Sequence, residues 1–298
     1  MTFKPLLLAA ALLATPLAAH AQTPAEPSPF KAVKIVLVGD STIAVGSGWG
    51  YSFCGKHTMS AVACVNLARG GRSTKSYRAE GSWALAQYEM KSGGFAQTYV
   101  LVQFGHNDQP GKAERSTDLA TEFPANLKRY VEDIRAAGAK PVLVTPLTRR
   151  QFKDGQLIDD LGPWSAAIRK VAAEMDVPLV DLNARSMAAV QAMGAAKATE
   201  LAQAPPSAAI LEAAKTGTTI SAKPYEPPIP GAQPVPATPP PPLPPPPVQD
   251  NAAMEPMGQA KVAFDYTHLG AYGADQTSAL VVDELAKAVP ALRRNLIP

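Results

Sequence analysis

The sequence predicts an α/β protein whose mainly parallel, five-stranded sheet is covered by helices on both faces. Short apolar runs rich in valine, isoleucine and leucine alternate along the chain with longer segments of helical periodicity, the pattern of parallel strands joined by helices. Several of these runs stop at a glycine or a proline, as buried strands do. With 298 residues, of which 46% are hydrophobic, the chain can bury one sizeable core or two modest ones.

The first 21 residues are typical of a secretory signal peptide. Lys4 precedes the apolar run 6–13, and residues 19–21 (Ala-His-Ala) match a small-x-small cleavage site. The apolar run is shorter than the roughly 20 residues that a membrane anchor needs. We therefore expect a mature chain that starts with a disordered Pro-rich leader at 22–32, has no membrane span, and is periplasmic or extracellular.

Charge and cysteine content narrow the function classes. The formal charge of +3 includes Lys4, so the mature chain carries 27 basic and 25 acidic residues, which argues against nucleic acid as a partner. Cys54 and Cys64 are the only cysteines, and in an exported protein their spacing predicts a disulfide. A metal site formed by these two residues and His57 is the alternative, but it lacks a fourth ligand.

The predicted strands cover residues 34–38, 62–66, 98–104, 141–145 and 177–182. Gly39 ends the first strand, Gly105 the third and Pro146 the fourth. Ser41 comes two residues after Gly39, at the carboxyl end of a buried strand. In open parallel sheets, ligands bind at that edge. Ser41 is therefore a candidate nucleophile.

Helical spacing of apolar residues lies between and after these strands. The predicted helices cover a short segment after residue 50 and residues 123–137, 163–175, 184–215 with an interruption at 205–206, and 271–292. Proline lacks the backbone donor that helices and sheets need, so residues 223–248, which contain two runs of four prolines, form neither. Because the last helix is too small for a domain, we expect one domain at 33–298 with a Pro-rich insertion at about 204–258.

A serine nucleophile needs a base, and the mature chain offers three histidines: His57, His106 and His268. His268 follows Asp265 by three residues, so on a turn the carboxylate can accept from Nδ1–H and leave Nε2 free to take the proton of Ser41. A surface capping pair is the alternative for an isolated Asp-x-x-His. His106 directly follows the third strand and is a second candidate for the same edge.

An ester hydrolase also needs hydrogen-bond donors for the oxyanion that develops on the substrate. Residues 70–73 (Gly-Gly-Arg-Ser) follow the second strand, and their paired glycines let backbone N–H groups approach a ligand. Asn107 brings a side-chain amide to the edge beyond the third strand. Separately, each of these segments is explained equally well as an ordinary turn.

Together the segments are more specific. Residues 39–42 (Gly-Asp-Ser-Thr), 70–73, 105–108 (Gly-His-Asn-Asp) and 265–268 (Asp-Tyr-Thr-His) occur in the order seen in the SGNH, or GDSL, hydrolases. With the Gly-Trp-Gly string at 48–50, the chain resembles the rhamnogalacturonan acetylesterase group of that superfamily. It differs in its longer, Pro-rich insertion.

The resemblance implies a flavodoxin-like three-layer α/β/α fold and a serine esterase that uses no metal and no cofactor. Ser41 would be the nucleophile, His268 its base and Asp265 the residue that orients the base. The N–H of Ser41, the N–H of Gly71 and the side chain of Asn107 would form the oxyanion hole. His106 would then have a structural or substrate-facing role.

Basic residues cluster near this edge: Arg69, Arg72, Lys75 and Arg78 after the second strand, and Arg149 and Arg150 after the fourth. A solvated face is the ordinary explanation. We hypothesise instead a positive cleft, with Arg72 as a substrate contact, that attracts an acidic polymer such as pectin.

The predicted function is that of an exported, monomeric serine esterase that removes O-acetyl groups from an acetylated plant cell-wall polysaccharide or oligosaccharide, favouring a pectic polymer of the rhamnogalacturonan type. The alternatives are a general arylesterase or lipase-like SGNH hydrolase, and a non-catalytic glycan-binding protein of the cell envelope.

Overall fold

A computed structural model of the chain describes residues 32–222 and 263–298. The predicted signal peptide, nearly all of the leader and residues 223–258 of the predicted insertion lie outside the described residues. Among the described residues, no helix combines the length and the apolar composition needed to cross a membrane.

Seven strands are present in the described chain: β1 (Val33–Gly39), β2 (Val62–Asn66), β3 (Gln97–Gln103), β4 (Lys140–Val144), β5 (Phe152–Lys153), β6 (Gln156–Leu157) and β7 (Leu179–Val180). Five form one sheet in the order β2-β1-β3-β4-β7, and every pair in it is parallel. This is the flavodoxin-like strand order. β5 and β6 form a separate antiparallel hairpin that the sequence pattern did not predict.

The helices of the described residues are α1 (Gly50–Lys56), α2 (Ser76–Ala79), α3 (Ser82–Lys91), α4 (Glu122–Ala136), α5 (Gly162–Glu174), α6 (Leu182–Ala198), α7 (Ala208–Lys215) and α8 (Ala271–Ala288). Three 3₁₀ segments add Ala113–Arg115, Thr199–Leu201 and Pro290–Asn295. Gly194 breaks α6 with a non-helical backbone conformation. The described start of the predicted insertion, residues 204–222, contains α7.

Side chains of β1 show why the strand is apolar along its whole length. Ile35 and Leu37 point into one core together with residues of α1, α6 and α8, such as Phe53, Val190 and Val281. Val36 and Val38 point into a second core formed with α3, α4 and α5. Because successive strand residues alternate between faces, a strand covered on both sides must be apolar throughout. The predicted three-layer α/β/α architecture is therefore confirmed.

Besides the β5–β6 hairpin, other elements depart from the sequence-based prediction, among them the short helix α2. The predicted fifth strand, 177–182, is reduced to the two-residue ladder of β7. Helix α3 was not predicted, because Leu85 and Tyr88 on its surface are 65% and 79% exposed and obscure its apolar periodicity.

Cys54 in α1 and Cys64 in β2 form a disulfide. The alternative of a metal site at these residues is therefore wrong, because the two sulfurs bond to each other. His57 lies between Ile297 O (3.0 Å from Nδ1) and Asp275 Oδ1 (3.2 Å from Nε2), which connects the end of α1 to the C-terminal part of the chain.

Candidate active site

Ser41 lies in a tight turn at the carboxyl end of β1. Asp40 Oδ1 accepts hydrogen bonds from the backbone N–H and the hydroxyl of Thr42, at 2.9 and 2.7 Å. Behind the turn, Gln103 Nε2 donates to Thr42 Oγ1, and Trp49 Nε1 donates to Gln103 Oε1 at 3.0 Å. All four residues of this network, Asp40, Thr42, Gln103 and Trp49, are buried. The turn is thus rigid, while Ser41 itself stays partly exposed.

Gly48 explains why the Gly-Trp-Gly string accompanies this turn. A Cβ added at Gly48 would lie 2.2 Å from the carbonyl oxygen of Thr42, a distance that backbone atoms cannot relieve. Glycine therefore lets the start of α1 pack directly on the turn that carries Ser41.

Asp265, His268 and Ser41 form a continuous hydrogen-bonded chain. Asp265 Oδ2 lies 2.7 Å from His268 Nδ1, and His268 Nε2 lies 2.8 Å from Ser41 Oγ. A carboxylate only accepts, so Nδ1 carries the proton of the neutral imidazole and Nε2 accepts from the serine hydroxyl. The geometry suits proton transfer from Ser41 to His268.

The carboxylate of Asp265 is held in its charged form. Its Oδ1 accepts the backbone N–H groups of Thr267 and His268, both at 2.7 Å. Burial by itself would raise the pKa of Asp265, but the hydrogen bonds from His268 and Thr267 and the proximity of the imidazole lower that pKa to about 2. Asp265 therefore stays negatively charged and can stabilise an imidazolium at His268.

Arg150 holds the segment that carries Asp265 and His268. Its guanidinium donates to three backbone carbonyls, those of Thr267 at 3.1 Å and of Asp265 and His268 at 2.9 Å each. The backbone N–H of Arg150 donates to Tyr266 O at 2.9 Å. The side chain is 1% exposed, and burial lowers the pKa of Arg150 to about 10. Arg150 was predicted to line an open cationic cleft, and that prediction is wrong.

Ser47 connects this segment to the nucleophile turn. Its hydroxyl donates to Ser41 O at 2.8 Å, and its carbonyl accepts the N–H of Leu269 at 2.9 Å. One residue therefore contacts both the nucleophile and the neighbour of the histidine.

Gly71 and Asn107, the residues predicted to complete the oxyanion hole, both contact Arg115, and Gly70 lies beside Ser41. Gly70 is close enough that a Cβ on it would be 3.6 Å from Ser41 Cβ, and Gly71 has φ +78°, a left-handed conformation that favours glycine. Asn107 is buried, and its Nδ2 donates to Arg72 O at 3.1 Å. Arg115, which the sequence pattern did not single out, donates from Nη1 to both Gly71 O and Asn107 Oδ1.

A buried acidic cluster lies beneath the same edge. His106 is only 4% exposed, with Nδ1 3.5 Å from Asp40 Oδ2, so the structure contradicts a substrate-facing role and leaves the structural one. Burial would raise the pKa of Asp40, but nearby His106 and the bonds from Thr42 lower it. Burial raises the pKa of Asp108 to about 7, against the hydrogen bonds that Thr74 and Thr117 donate.

The basic residues near the edge are largely paired with acids. Arg69 and Arg72 both contact Glu80, at 3.5 and 2.8 Å, and Arg72 also donates to Gly70 O at 2.7 Å. The other contacts are Lys75 with Glu122, Arg78 with Asp133 and Arg149 with Asp160. These acids neutralise most of the charge on which the hypothesis of a positive cleft depended. Arg72 remains one-third exposed, with its guanidinium directed at Glu80.

Within the part of the chain that the structure describes, no group of three or more His, Cys, Asp or Glu side chains is arranged to hold a metal ion. The side chains brought together at the sheet edge are a hydroxyl, an imidazole, a carboxylate and an amide.

The family model of the GDSL-like lipases and acylhydrolases matches residues 37–203. The chain belongs to this family. This GDSL-like acylhydrolase is a carboxylic ester hydrolase, and the resemblance to the SGNH hydrolases is confirmed. The matched residues include Ser41, Gly71 and Asn107 but end before Asp265 and His268.

Two relatives of this acylhydrolase are proteins of Bacillus subtilis. Rhamnogalacturonan acetylesterase RhgT is 35% identical over 172 residues, which cover 55% of this chain and 71% of RhgT. The probable rhamnogalacturonan acetylesterase YesY is 34% identical over 161 residues, which cover 52% of this chain and 72% of YesY. Among solved structures, that of protein YXIM from the same organism aligns with this chain at a TM-score of 0.57 and 20% identity. The alignment covers 87% of this chain and 57% of YXIM. That likeness supports the shared fold.

Proposed function

We propose that this chain is an exported carbohydrate acetylesterase that removes O-acetyl groups from a pectic, rhamnogalacturonan-type polymer through an acetyl-serine intermediate. The observation that carries the proposal is the hydrogen-bonded chain from Asp265 through His268 to Ser41, at 2.7 and 2.8 Å. Of these three hydrogen-bonded residues, only Ser41 lies in the segment that matches the family.

In the first half-reaction, His268 Nε2 takes the hydroxyl proton while Ser41 Oγ attacks the acetyl carbonyl carbon. The carbonyl oxygen becomes an oxyanion, which the N–H of Ser41, the N–H of Gly71 and Nδ2 of Asn107 stabilise. The tetrahedral intermediate collapses, the bond to the sugar oxygen breaks, and the imidazolium of His268 returns its proton to that oxygen. The deacetylated sugar leaves and the acetyl group stays on Ser41.

In the second half-reaction, water gives a proton to His268 and attacks the acetyl carbon. Acetate then leaves, and the proton returns from His268 to Ser41 Oγ. Asp265 stays negative throughout and stabilises each imidazolium, consistent with the lowering of its pKa to about 2. Every proton and bond is accounted for by these three side chains and one water.

Two further observations support the substrate and the location. Both Bacillus relatives carry the name rhamnogalacturonan acetylesterase and align over more than two thirds of their own length. Residues 1–21 have the charge, apolar run and cleavage site of an export signal. The paired basic residues give no separate argument for an acidic polymer.

The test is an acetate-release panel with wild type and Ser41→Ala on acetylated pectic, xylan and peptidoglycan substrates. We expect the highest kcat/KM on acetylated rhamnogalacturonan, and no acetate release by Ser41→Ala. Faster release from xylan would overturn the pectic assignment, and release by Ser41→Ala would overturn the mechanism. Better turnover of octanoyl than of acetyl p-nitrophenyl ester would instead favour a lipase-like hydrolase.

A further inference from the structure

Arg115 connects two parts of the proposed oxyanion hole. It ends the 3₁₀ turn Ala113–Arg115, on the loop that follows β3. Its Nη1 lies 3.0 Å from Gly71 O and 3.2 Å from Asn107 Oδ1, and its Nε donates to Lys112 O at 3.3 Å. A single guanidinium nitrogen therefore bridges the loop after β2 and the loop after β3.

The contact with Asn107 determines which way its amide faces. A guanidinium has only donors, so the atom of Asn107 that faces Arg115 must be the oxygen. The amide nitrogen then points away from Arg115, where one of its two N–H groups is taken by Arg72 O. The other N–H is left for an incoming oxyanion. Arg72 O, which only accepts, favours the same orientation, so Arg115 and this carbonyl hold the amide from its two ends.

The contact with Gly71 restrains a residue that has no side chain to restrain it. Glycine at φ +78° has little intrinsic conformational preference, so the orientation of the peptide groups on its two sides depends on their contacts. Arg115 fixes the carbonyl of Gly71. A Cβ added there would lie 3.3 Å from Nη1 of Arg115, so the two groups are in close contact.

The loop that carries Arg115 is itself tied down beside Asn107. Ser116 Oγ donates to Gln109 O and accepts from the N–H of Lys112, both at 2.9 Å. The N–H of Thr117 donates to Asp108 O, also at 2.9 Å. The guanidinium is thus held in place by its own loop rather than being a mobile surface arm.

We infer that Arg115 is a positioning residue of the oxyanion hole, which orients the Asn107 amide and the Gly71 backbone through one nitrogen. This inference rests on the proposed ester hydrolysis. The positive charge also polarises the amide, because a charged donor on Oδ1 draws electron density from Nδ2 and strengthens its remaining N–H as a donor. That gain is largest when the acceptor is an oxyanion, so Arg115 acts on the transition state rather than on the bound substrate.

The experiment is a double-mutant cycle on p-nitrophenyl acetate with Arg115→Met, Asn107→Ala and the double variant. Loss of one oxyanion donor lowers kcat by roughly 10²- to 10³-fold, and loss of its positioning should lower kcat by about 10- to 50-fold with KM within about twofold. In the Asn107→Ala background, Arg115→Met should lower kcat by less than about threefold, because its main target is already absent. The kcat of Arg115→Lys should fall between those of Arg115→Met and wild type.

Arg135→Met is the matched control. Arg135 also donates to backbone carbonyls, those of Met175 and Asp176, but it precedes β4 and so lies toward the opposite edge of the sheet. Its substitution should leave kcat unchanged. Equal effects of Arg115→Met in the two backgrounds, or an undiminished kcat in Arg115→Met, would overturn the inference.

Failure of the proposed function is a separate outcome, visible as a wild type that cleaves no ester. In that case the side-chain amide of Asn107 still reports on Arg115 by ¹⁵N NMR. We expect two sharp, well-separated amide protons in wild type and shifted or exchange-broadened ones in Arg115→Met. An unchanged Asn107 signal would overturn the positioning role whatever the reaction.

Discussion

The two halves of the candidate site are held by different kinds of structure. The nucleophile half consists of Ser41, Gly71 and Asn107, which follow three adjacent parallel strands, β1, β2 and β3. The base half, residues 265–268, follows no strand of the sheet and lies just after residues 223–262. Its carbonyls accept hydrogen bonds from Arg150, and the next residue, Leu269, donates its backbone N–H to Ser47 O.

The two halves differ in what fixes the positions of their catalytic side chains. Strand ends are placed by a hydrogen-bonded ladder of many equivalent backbone contacts, so no single side chain decides their position. A loop has no ladder, and a few buried side-chain contacts must satisfy its carbonyls. The family match covers the first half and not the second. Substitutions should therefore distinguish the two halves more clearly in their effects on stability and on local hydrogen exchange than in their effects on kcat.

The largest expected effect on kcat is the same whichever half is substituted. Ser41→Ala and His268→Ala should each lower kcat by on the order of 10⁴- to 10⁶-fold, and the double variant should be little worse, because the residues act as one unit. Steady-state kinetics on p-nitrophenyl acetate measure this. His57→Ala is the matched control, since His57 also contacts an aspartate, Asp275, but should keep its kcat. Independent, multiplying losses would show that the two halves do not act together.

The next effect concerns Asp265. Asp265→Asn should lower kcat by about 10³- to 10⁴-fold, because an amide nitrogen facing Nδ1 disfavours the tautomer that Ser41 needs. A pH series of urea unfolding adds a second measurement. The folded-state pKa of about 2 lies below the ordinary value of 3.8, so ionised Asp265 stabilises the fold above about pH 4, and this stabilisation is lost as the pH falls through 2.

The difference in unfolding free energy between wild type and Asp265→Asn should accordingly be constant above about pH 5 and shrink between pH 4 and 2. A difference that stayed constant down to pH 2 would mean that Asp265 is not held in its charged form.

Arg150→Met should loosen the base half of the site and leave the nucleophile half unchanged. It leaves three partly buried carbonyls of the base segment without their donor, and a fully buried carbonyl left unsatisfied costs about 1–3 kcal/mol. Displacement of His268 by about 1 Å should lower kcat by roughly 10²-fold. Hydrogen exchange should rise in residues 263–270 and stay unchanged in β1. Equal loss of protection in both regions would mean that Arg150 supports the whole sheet rather than one loop.

The sequence pattern predicts the nucleophile half well because its signals are local. An apolar run, a stopping glycine and the polar residues after it lie within about ten residues of one another, as around Ser41. Asp265 and His268 were predictable as a pair for the same reason, since three residues separate them. Their approach to Ser41 across 227 positions was suggested only by the order of the family's motifs.

The supporting arginines were not predictable, because their partners lie far away in sequence. Arg150 contacts residues 115 to 118 positions later, and Arg115 contacts Gly71 44 positions earlier. Composition favours placing an arginine at the surface, and a buried one requires carbonyls whose arrangement only the fold supplies. The sequence left a structural and a substrate-facing role open for His106 for the same reason, since its position after a strand does not reveal that its ring turns inward toward Asp40.

The smallest expected effect concerns Ser47, the residue that joins the halves. Ser47→Ala removes the hydroxyl that donates to Ser41 O but keeps the carbonyl that accepts from Leu269, so the link is weakened and not broken. A lost hydrogen bond of about 1 kcal/mol corresponds to a kcat about five-fold lower if it acts through the position of Ser41. Ser207→Ala is the control, because it removes the N-cap of α7 at a comparable stability cost of about 1 kcal/mol. Equal kcat values in the two variants would show that the backbone bond to Leu269 alone keeps the nucleophile and base halves in register.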